Sequence, residues 1–266
     1  MAGIGGEDRL IVSREGAVAR ITFNKPAKMN AMSLDMWQGL LDTLATLETE
    51  DDIRVLVLCG AGEEAFVSGA DISEFEALRA TEDGVAAYNR ISEAADRALY
   101  DFPKPVIAQI KGYCIGGGMG LAAGCDIRIC AEGSRLGITA AKLGLGYAYD
   151  AVHRIVSLAG PEVAAQVLYS ARLFDALEAQ RMGLVSEVVP RADLNQTVTA
   201  LAERIARNAP KTVRAAKAAI RAAQDPAGPV SRGQVDALVD ACNASADYAE
   251  GRTAFTEKRK PAFRDR

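Results

Sequence analysis

The hydrophobic pattern divides this chain into two parts. Strand-like and helix-like periods alternate over the first 190 or so residues, and only helical periods follow. Leu10–Arg14 and Ala17–Phe23 read as strands joined at Glu15-Gly16, a hairpin signal. Ser33 opens a helix whose apolar residues Leu34, Trp37, Leu40, Leu41, Leu44 and Leu47 share one face. The unbroken apolar run of Arg54–Cys59 predicts a strand covered on both sides. Ala65–Asp71 is a second strand-to-turn segment, and Asp71 suits the N-cap of a short helix over 72–79. Val85–Phe102 reads as an amphipathic helix, stopped by Pro103 and Pro105. Pro105–Lys111 is a further strand, followed by three glycines, Gly116-Gly117-Gly118, and a small-residue helix. Asp126–Glu132 and Leu184–Val189 are strands; 151–159, 161–171 and 176–182 are helices, the second with proline at its first position.

From Leu194 the segments 194–207, 211–223, 231–247 and 248–260 are all helical in pattern, with no strand between them. This predicts an α/β core over 1–193 and a helical segment over 194–266. The tail's apolar stripes need a partner surface. The length of 266 residues suffices for a sizeable core.

The net charge of −4 argues against a nucleic-acid partner, and no apolar run reaches the length of a membrane span. The start of the chain, MAGIGGEDRL, carries acids and no apolar centre, unlike a secretory signal. Five cysteines form no CxxC pair, which fits free thiols in a reducing cytoplasm. The only histidine, His153, has no acidic partner at an obvious spacing, so zinc sites rich in histidine and Ser-His-Asp triads are disfavoured, and no metal is expected. Ser68 lacks the Gly-x-Ser-x-Gly context of a nucleophile elbow. Gly118-x-Gly120-x-x-Ala123 formally fits a dinucleotide fingerprint, but alanines stand where its distal acidic residue belongs.

Two turns share one design, strand then small residues then helix start: FVSGAD at 66–71 and CIGGGMG at 114–120. Each can offer a backbone N–H to one oxygen, and a helix N-terminus favours charge developing there. Together with Asn24-Lys25-Pro26…Asn30-Ala31, Cys125-Asp126-Ile127, Met182-Gly183-Leu184-Val185 and Phe255-x-Glu-Lys-Arg-Lys-Pro, these turns resemble the crotonase, or enoyl-CoA hydratase/isomerase, superfamily over nearly the whole chain. The resemblance implies an α/β fold, a spiral of ββα units with a helical C-terminal trimerisation segment, assembled as a homotrimer or homohexamer. It implies an acyl-CoA substrate, with coenzyme A entering as part of that substrate and no separate cofactor. Ala70 and Gly117 take the positions of the oxyanion-hole donors that stabilise a thioester enolate. Lys28, Ala31, Ser68, Ala70, Asp71 and Ile72 take positions along the CoA site, and Lys258 is in the basic C-terminus that meets CoA phosphates, often those of a neighbouring subunit.

The departures are equally specific. Hydratases of the family place one glutamate three residues after the middle glycine and another about twenty residues later. Here those positions are Gly120 and Ala140. The two carboxylates that manage water and its proton are missing, which argues against an efficient standard hydratase. Tyr147, in Lys142-Leu-Gly-Leu-Gly-Tyr147-Ala-Tyr149-Asp150, stands where methylmalonyl-CoA decarboxylases of the superfamily carry a tyrosine. Those enzymes usually have histidine in place of Ala70. Tyr147 and Asp150 are therefore the candidates for the chemistry, Asp150 alternatively serving as a helix cap. A decarboxylase-like enzyme and a non-catalytic acyl-CoA binder both remain open.

Overall fold

The computed structural model describes residues 2–4, 9–71, 73, 82–226 and 228–265. Chain order gives β1 (Ala2–Ile4), β2 (Leu10–Glu15), β3 (Val18–Phe23), α1 (Leu34–Thr49), β4 (Val55–Gly60), β5 (Ala65–Val67) and α2 (Glu82–Asp101). Next come β6 (Val106–Ile110), β7 (Tyr113–Ile115), α3 (Gly117–Gly124), β8 (Ile127–Ala131), β9 (Arg135–Gly137) and α4 (Tyr149–Ser170). β10 (Phe174–Asp175), α5 (Ala176–Arg181), β11 (Glu187–Val189), α6 (Leu194–Ala206), α7 (Pro210–Gln224), α8 (Arg232–Asn243) and α9 (Ala246–Thr256) complete it. Apart from Ser73, the short helix expected over 72–79 lies outside the described residues.

Among these residues the strands form two sheets. The larger has the order β1-β2-β3-β4-β6-β8-β11 and the smaller β10-β9-β7-β5. The β2–β3 hairpin is antiparallel, with Glu15 opposite Val18, and β3, β4, β6, β8 and β11 run parallel. The apolar run of β4 is buried on both faces because its side chains alternate. Leu56 and Leu58 enter the main core with Leu40, Leu44 and Phe66. Val55 and Val57 point to the opposite face, where Leu194, Val198 and Ala202 of α6 cover them. The first helix of the C-terminal segment is thus a layer of the sheet.

Buried cations tie these layers together. The Lys104 ammonium donates to the carbonyls of Leu47 and Glu50, at the C-terminal end of α1, each at 2.7 Å. There it satisfies acceptors that have no partner within the helix and opposes the negative end of the helix dipole. Lys217 of α7 donates to the Lys104 carbonyl and to Asp126, which also accepts from Arg221 and from the Val106 N–H. Arg54 holds the end of the chain by donating to the carbonyls of Ala206 and Phe263.

Helix α4 is bent at Gly160, whose backbone is non-helical (φ 84°, ψ 165°), immediately before Pro161. This is the boundary expected from proline at a first helical position. The N-terminal boundary is different: α4 begins at Tyr149 with Ala148 as its N-cap, and Asp150 lies within the first turn without capping it.

Candidate active site

The smaller sheet brings the two turns together, because β5 and β7 run parallel in it and each leads directly into one of them. After β5, Met32 pairs with Ala70 as in a parallel bridge: Met32 N–H donates to the Gly69 carbonyl at 2.8 Å and Asp71 N–H to the Met32 carbonyl at 2.9 Å. After β7, Gly116 turns the chain with φ 55°, and α3 starts at Gly117. The backbones almost touch. A Cβ on Gly118 would lie 2.1 Å from the Val67 carbonyl oxygen, and one on Gly116 would be 3.8 Å from the Gly69 Cα. Glycine at 118 is therefore a packing requirement. Gly69 and Gly118 are buried, whereas Ala70 and Gly117 are half-buried. The N–H groups of Ala70 and Gly117 have no acceptor among the described residues. Gly117 is at the start of α3, where the first N–H groups have no acceptor within the helix.

Tyr147 approaches the same helix. Its ring is partly buried against the core, and its hydroxyl donates to the Gly116 carbonyl at 3.0 Å. A Cβ on Gly120 would lie 3.6 Å from that hydroxyl. The phenol occupies the space next to residue 120 that a longer side chain there would need. Burial pushes it well above its usual value; Asp96 of α2 and Cys114 of β7 raise it further, and Arg154 of α4 opposes them. At neutral pH it therefore holds its proton.

Asp150 is placed elsewhere. Its half-exposed carboxylate pairs with Arg97 of α2. Helix α4 starts one residue before it, so that carboxylate is on the helix side and not at the cap. His153, one turn on, stacks on Tyr149 with ring centroids 6.1 Å apart.

The loop 25–31 packs against the first turn. The Lys25 ammonium donates to Asp71 at 2.6 Å, and Lys28 donates to Asp71 at 3.0 Å and to the Ser73 hydroxyl at 2.6 Å. Burial pushes the Asp71 carboxyl up, but Lys25, Ser73 and Lys28 outweigh it and hold the group well below the usual carboxylate range. Ser68 N–H donates to the Met29 carbonyl at 3.1 Å and Ala31 N–H to the Lys28 carbonyl at 3.0 Å. Buried Asn30 orders the loop from within, donating to the carbonyls of Ala61 and Ala65 and accepting from Lys25 N–H. A cleft of about 470 Å³ opens beside it, lined by Pro26, Met29, Ala61 and Glu64. Ile72 lies outside the described residues. Lys258 is exposed just beyond α9.

Lys25, Asp96 and Arg154 were not singled out by sequence reasoning. Lys25 was visible as part of Asn24-Lys25-Pro26; the other two carry no local signal, since they are 58 residues apart on different helices. Among the described residues no helix is long and apolar enough to cross a membrane, and no group of three or more His, Cys, Asp or Glu is placed to hold a metal ion.

The family model described as enoyl-CoA hydratase/isomerase matches residues 13–266. The chain belongs to this family. The short-chain-enoyl-CoA hydratase of Clostridium acetobutylicum is 34% identical over 254 residues, 95% of this chain and 96% of that protein. The 2,3-dehydroadipyl-CoA hydratase of Escherichia coli is 33% identical over 257 residues, covering 97% and 99% of the two chains. A crystal structure of an enoyl-CoA hydratase/carnithine racemase from Magnetospirillum magneticum superposes with a TM-score of 0.92 at 40% identity, covering 99% of this chain and 98% of that one. The mixed α/β layers with a helical C-terminal region are thus the crotonase fold of the enoyl-CoA hydratase/isomerase family.

Proposed function

We propose that this chain converts an acyl-CoA thioester through an enolate, with the N–H groups of Ala70 and Gly117 receiving the thioester oxygen and Tyr147 supplying a proton to Cα. One observation carries this reading: the Tyr147 hydroxyl lies next to Gly120, fixed by the Gly116 carbonyl, at a position where hydratases of the family carry a carboxylate. A phenol that keeps its proton can act as an acid and not as a base. Hydration and isomerisation both require a base, and positions 120 and 140 provide none.

An acid without a base suits an enolate formed by loss of a group. In decarboxylation of a malonyl-type CoA ester, the bond from Cα to the carboxylate breaks, its electron pair becomes the enolate, and CO2 leaves. Cα then takes the Tyr147 proton, and water restores the phenol. The substrate must carry its own leaving carboxylate, so the protein's contribution is the oxyanion hole, the acid and exclusion of water. Coenzyme A enters as part of the substrate, along the loop that holds Lys28 and Ala31 and past Ser68 and Asp71. No further cofactor is invoked, and Asp150 has no step in this scheme.

The test is a panel of acyl-CoA esters that includes malonyl-, methylmalonyl- and crotonyl-CoA, followed by product analysis. Turnover of a malonyl-type ester should exceed that of crotonyl-CoA. Tyr147→Phe should reduce it at least about tenfold with KM nearly unchanged, because the lost contact is made in the transition state. No turnover of any ester, with tight binding retained, would favour a non-catalytic acyl-CoA binder instead.

The same reading includes assembly as a trimer or a pair of trimers. Helix α8 buries none of its residues in a single chain, and Phe255 is 86% exposed. A cavity of about 1250 Å³ lies among α7–α9 and the adjoining core, lined by Ile220, Val239, Cys242, Tyr248, Phe255 and Phe263. Apolar faces of this kind are normally covered. Light scattering at micromolar concentration should give three or six times the mass of the chain, and a clean monomer would refute the assembly.

A further inference from the structure

Helix α3 presents a bare face. A Cβ on Gly117 would lie 3.7 Å from Trp37 Cζ2, one on Gly120 3.6 Å from Tyr147 Oη, and one on Gly124 3.9 Å from Arg154 Nη1. Spacings of three and four residues put these positions on one side of the helix. Tyr147 and Arg154 therefore occupy neighbouring places on that side, about one turn or roughly 5–6 Å apart along the axis. Through the same Nη1, Arg154 forms an ion pair with Asp96 of α2, and its guanidinium sits 4.6 Å from the centre of the Tyr100 ring. The Arg154 side chain is 5% exposed and that of Asp96 21%. A pair this desolvated is poor value as a source of stability, because burying the charges offsets most of their attraction, and an apolar pair of the same volume commonly does as well. Its place beside Tyr147 offers a different use.

Resting on the reading of Tyr147 as the proton donor, we propose that Asp96 and Arg154 are its positioning pair: Asp96 disfavours loss of the phenol proton, and Arg154 stabilises the negative charge left on the phenolate oxygen when that proton is donated. The donation breaks the phenol O–H bond and forms a C–H bond at Cα, with the electron pair staying on the phenolate oxygen until water returns a proton. A phenolate in an apolar pocket is costly. A guanidinium about a turn away lowers that cost, while a carboxylate there raises it, and the balance between the two sets how readily the phenol ionises.

The charged and titratable groups around both residues agree with these roles. Tyr147 is acted on by burial first, then by Asp96 and Cys114, which raise it, and by Arg154, which lowers it. Asp96 is raised by burial and by Asp150 of α4 and lowered by Arg154 and by Arg97 of its own helix.

The test uses protein labelled with [13Cζ]tyrosine, in which the Tyr147 signal is assigned by its loss in Tyr147→Phe. In the intact protein this signal should remain that of the phenol across the alkaline range in which the fold survives. In Asp96→Asn the unopposed Arg154 should lower the pH of ionisation by about one to two units, the size expected of a single charge at this separation in a partly polarisable interior. Asp96→Ala, which loses the acceptor as well as the charge, should shift in the same direction as Asp96→Asn, which keeps an acceptor; this separates loss of charge from loss of the hydrogen bond. Asp96→Glu should restore the original behaviour. With a turned-over ester, the alkaline limb of kcat should move down in Asp96→Asn by the same interval, KM changing little. A Tyr147 signal that titrates identically in either folded uncharged variant and in the intact protein would overturn the pairing. The spectroscopic result does not depend on turnover, so a protein that converts no ester but shows the shift would remove the proposed reaction and leave the pairing in place.

Discussion

Replacing Gly117 by proline is expected to abolish turnover while the protein remains folded. Gly117 is the first residue of α3, with Gly116 as its N-cap. The N–H at that position has no acceptor within the helix, and proline is well tolerated there because its ring already has a helical φ. The residue ahead is glycine, so no Cβ meets the new ring. A Cβ on residue 117 would reach Trp37 Cζ2 at 3.7 Å, an ordinary contact. The structural cost is therefore small and the chemical cost large. One oxyanion donor is typically worth about 10²–10³ in rate, and the ring carbon replacing the N–H would also take the space of a thioester oxygen bound as proposed. Turnover, far-UV circular dichroism and a thermal melt are measured on one preparation. A folded variant with the original rate would mean that Gly117 is not a donor. Gly118→Ala is the informative contrast: its Cβ would be 2.1 Å from the Val67 carbonyl oxygen, so activity there should disappear together with the fold.

What could be read from the sequence follows from how local each signal is. The β2–β3 hairpin was legible because its strands and turn are contiguous. The unbroken run of β4 gave double burial, although only the structure names α6 as the cover for Val55 and Val57. Strands β7, β9 and β10 are two or three residues long and too short to show a period. The two turns were visible as motifs, and at Gly118 close backbone approach requires glycine, which leaves a trace in residue type. Asn30 was visible only as part of the motif Asn24-Lys25-Pro26…Asn30-Ala31, and its role needed the carbonyls of Ala61 and Ala65, which come from another part of the chain. Tyr147 could be singled out by residue type and not by contact, since its acceptor Gly116 is 31 residues away. Asp150 looked like a cap from its chemistry, but the helix begins at Tyr149 and Arg97 takes the carboxylate. The Asp96–Arg154 pair has no sequence signature at all, because two amphipathic helices bring it together.

Crotonyl-CoA should be hydrated very slowly. Adding water across the double bond requires a group to take a proton from the water and a group to give one to Cα, and each typically contributes about 10²–10⁴ in rate. Residue 120 is glycine and residue 140 alanine, so neither usual carboxylate exists. Three carboxylates among the described residues of this region are already engaged: Asp71 with Lys25 and Lys28, Asp96 with Arg154, and Asp150 with Arg97. Asp71 in particular is held so far below the usual range that it is a very weak base. With Tyr147 as the proposed proton donor to Cα, the water is left without a base among the described residues. The combined deficit is at least the factor of one missing group, about a hundredfold or more below a proficient hydratase, and less than the product of two because such groups act as a unit. The measurement is loss of the conjugated-thioester absorbance with crotonyl-CoA, compared with turnover of the best ester from the panel. Hydration as fast as that turnover would require another residue to activate the water. If Tyr147→Phe then abolished the hydration, the phenol would be positioning water at Gly120, and the acid role assigned to it here would have to be given up.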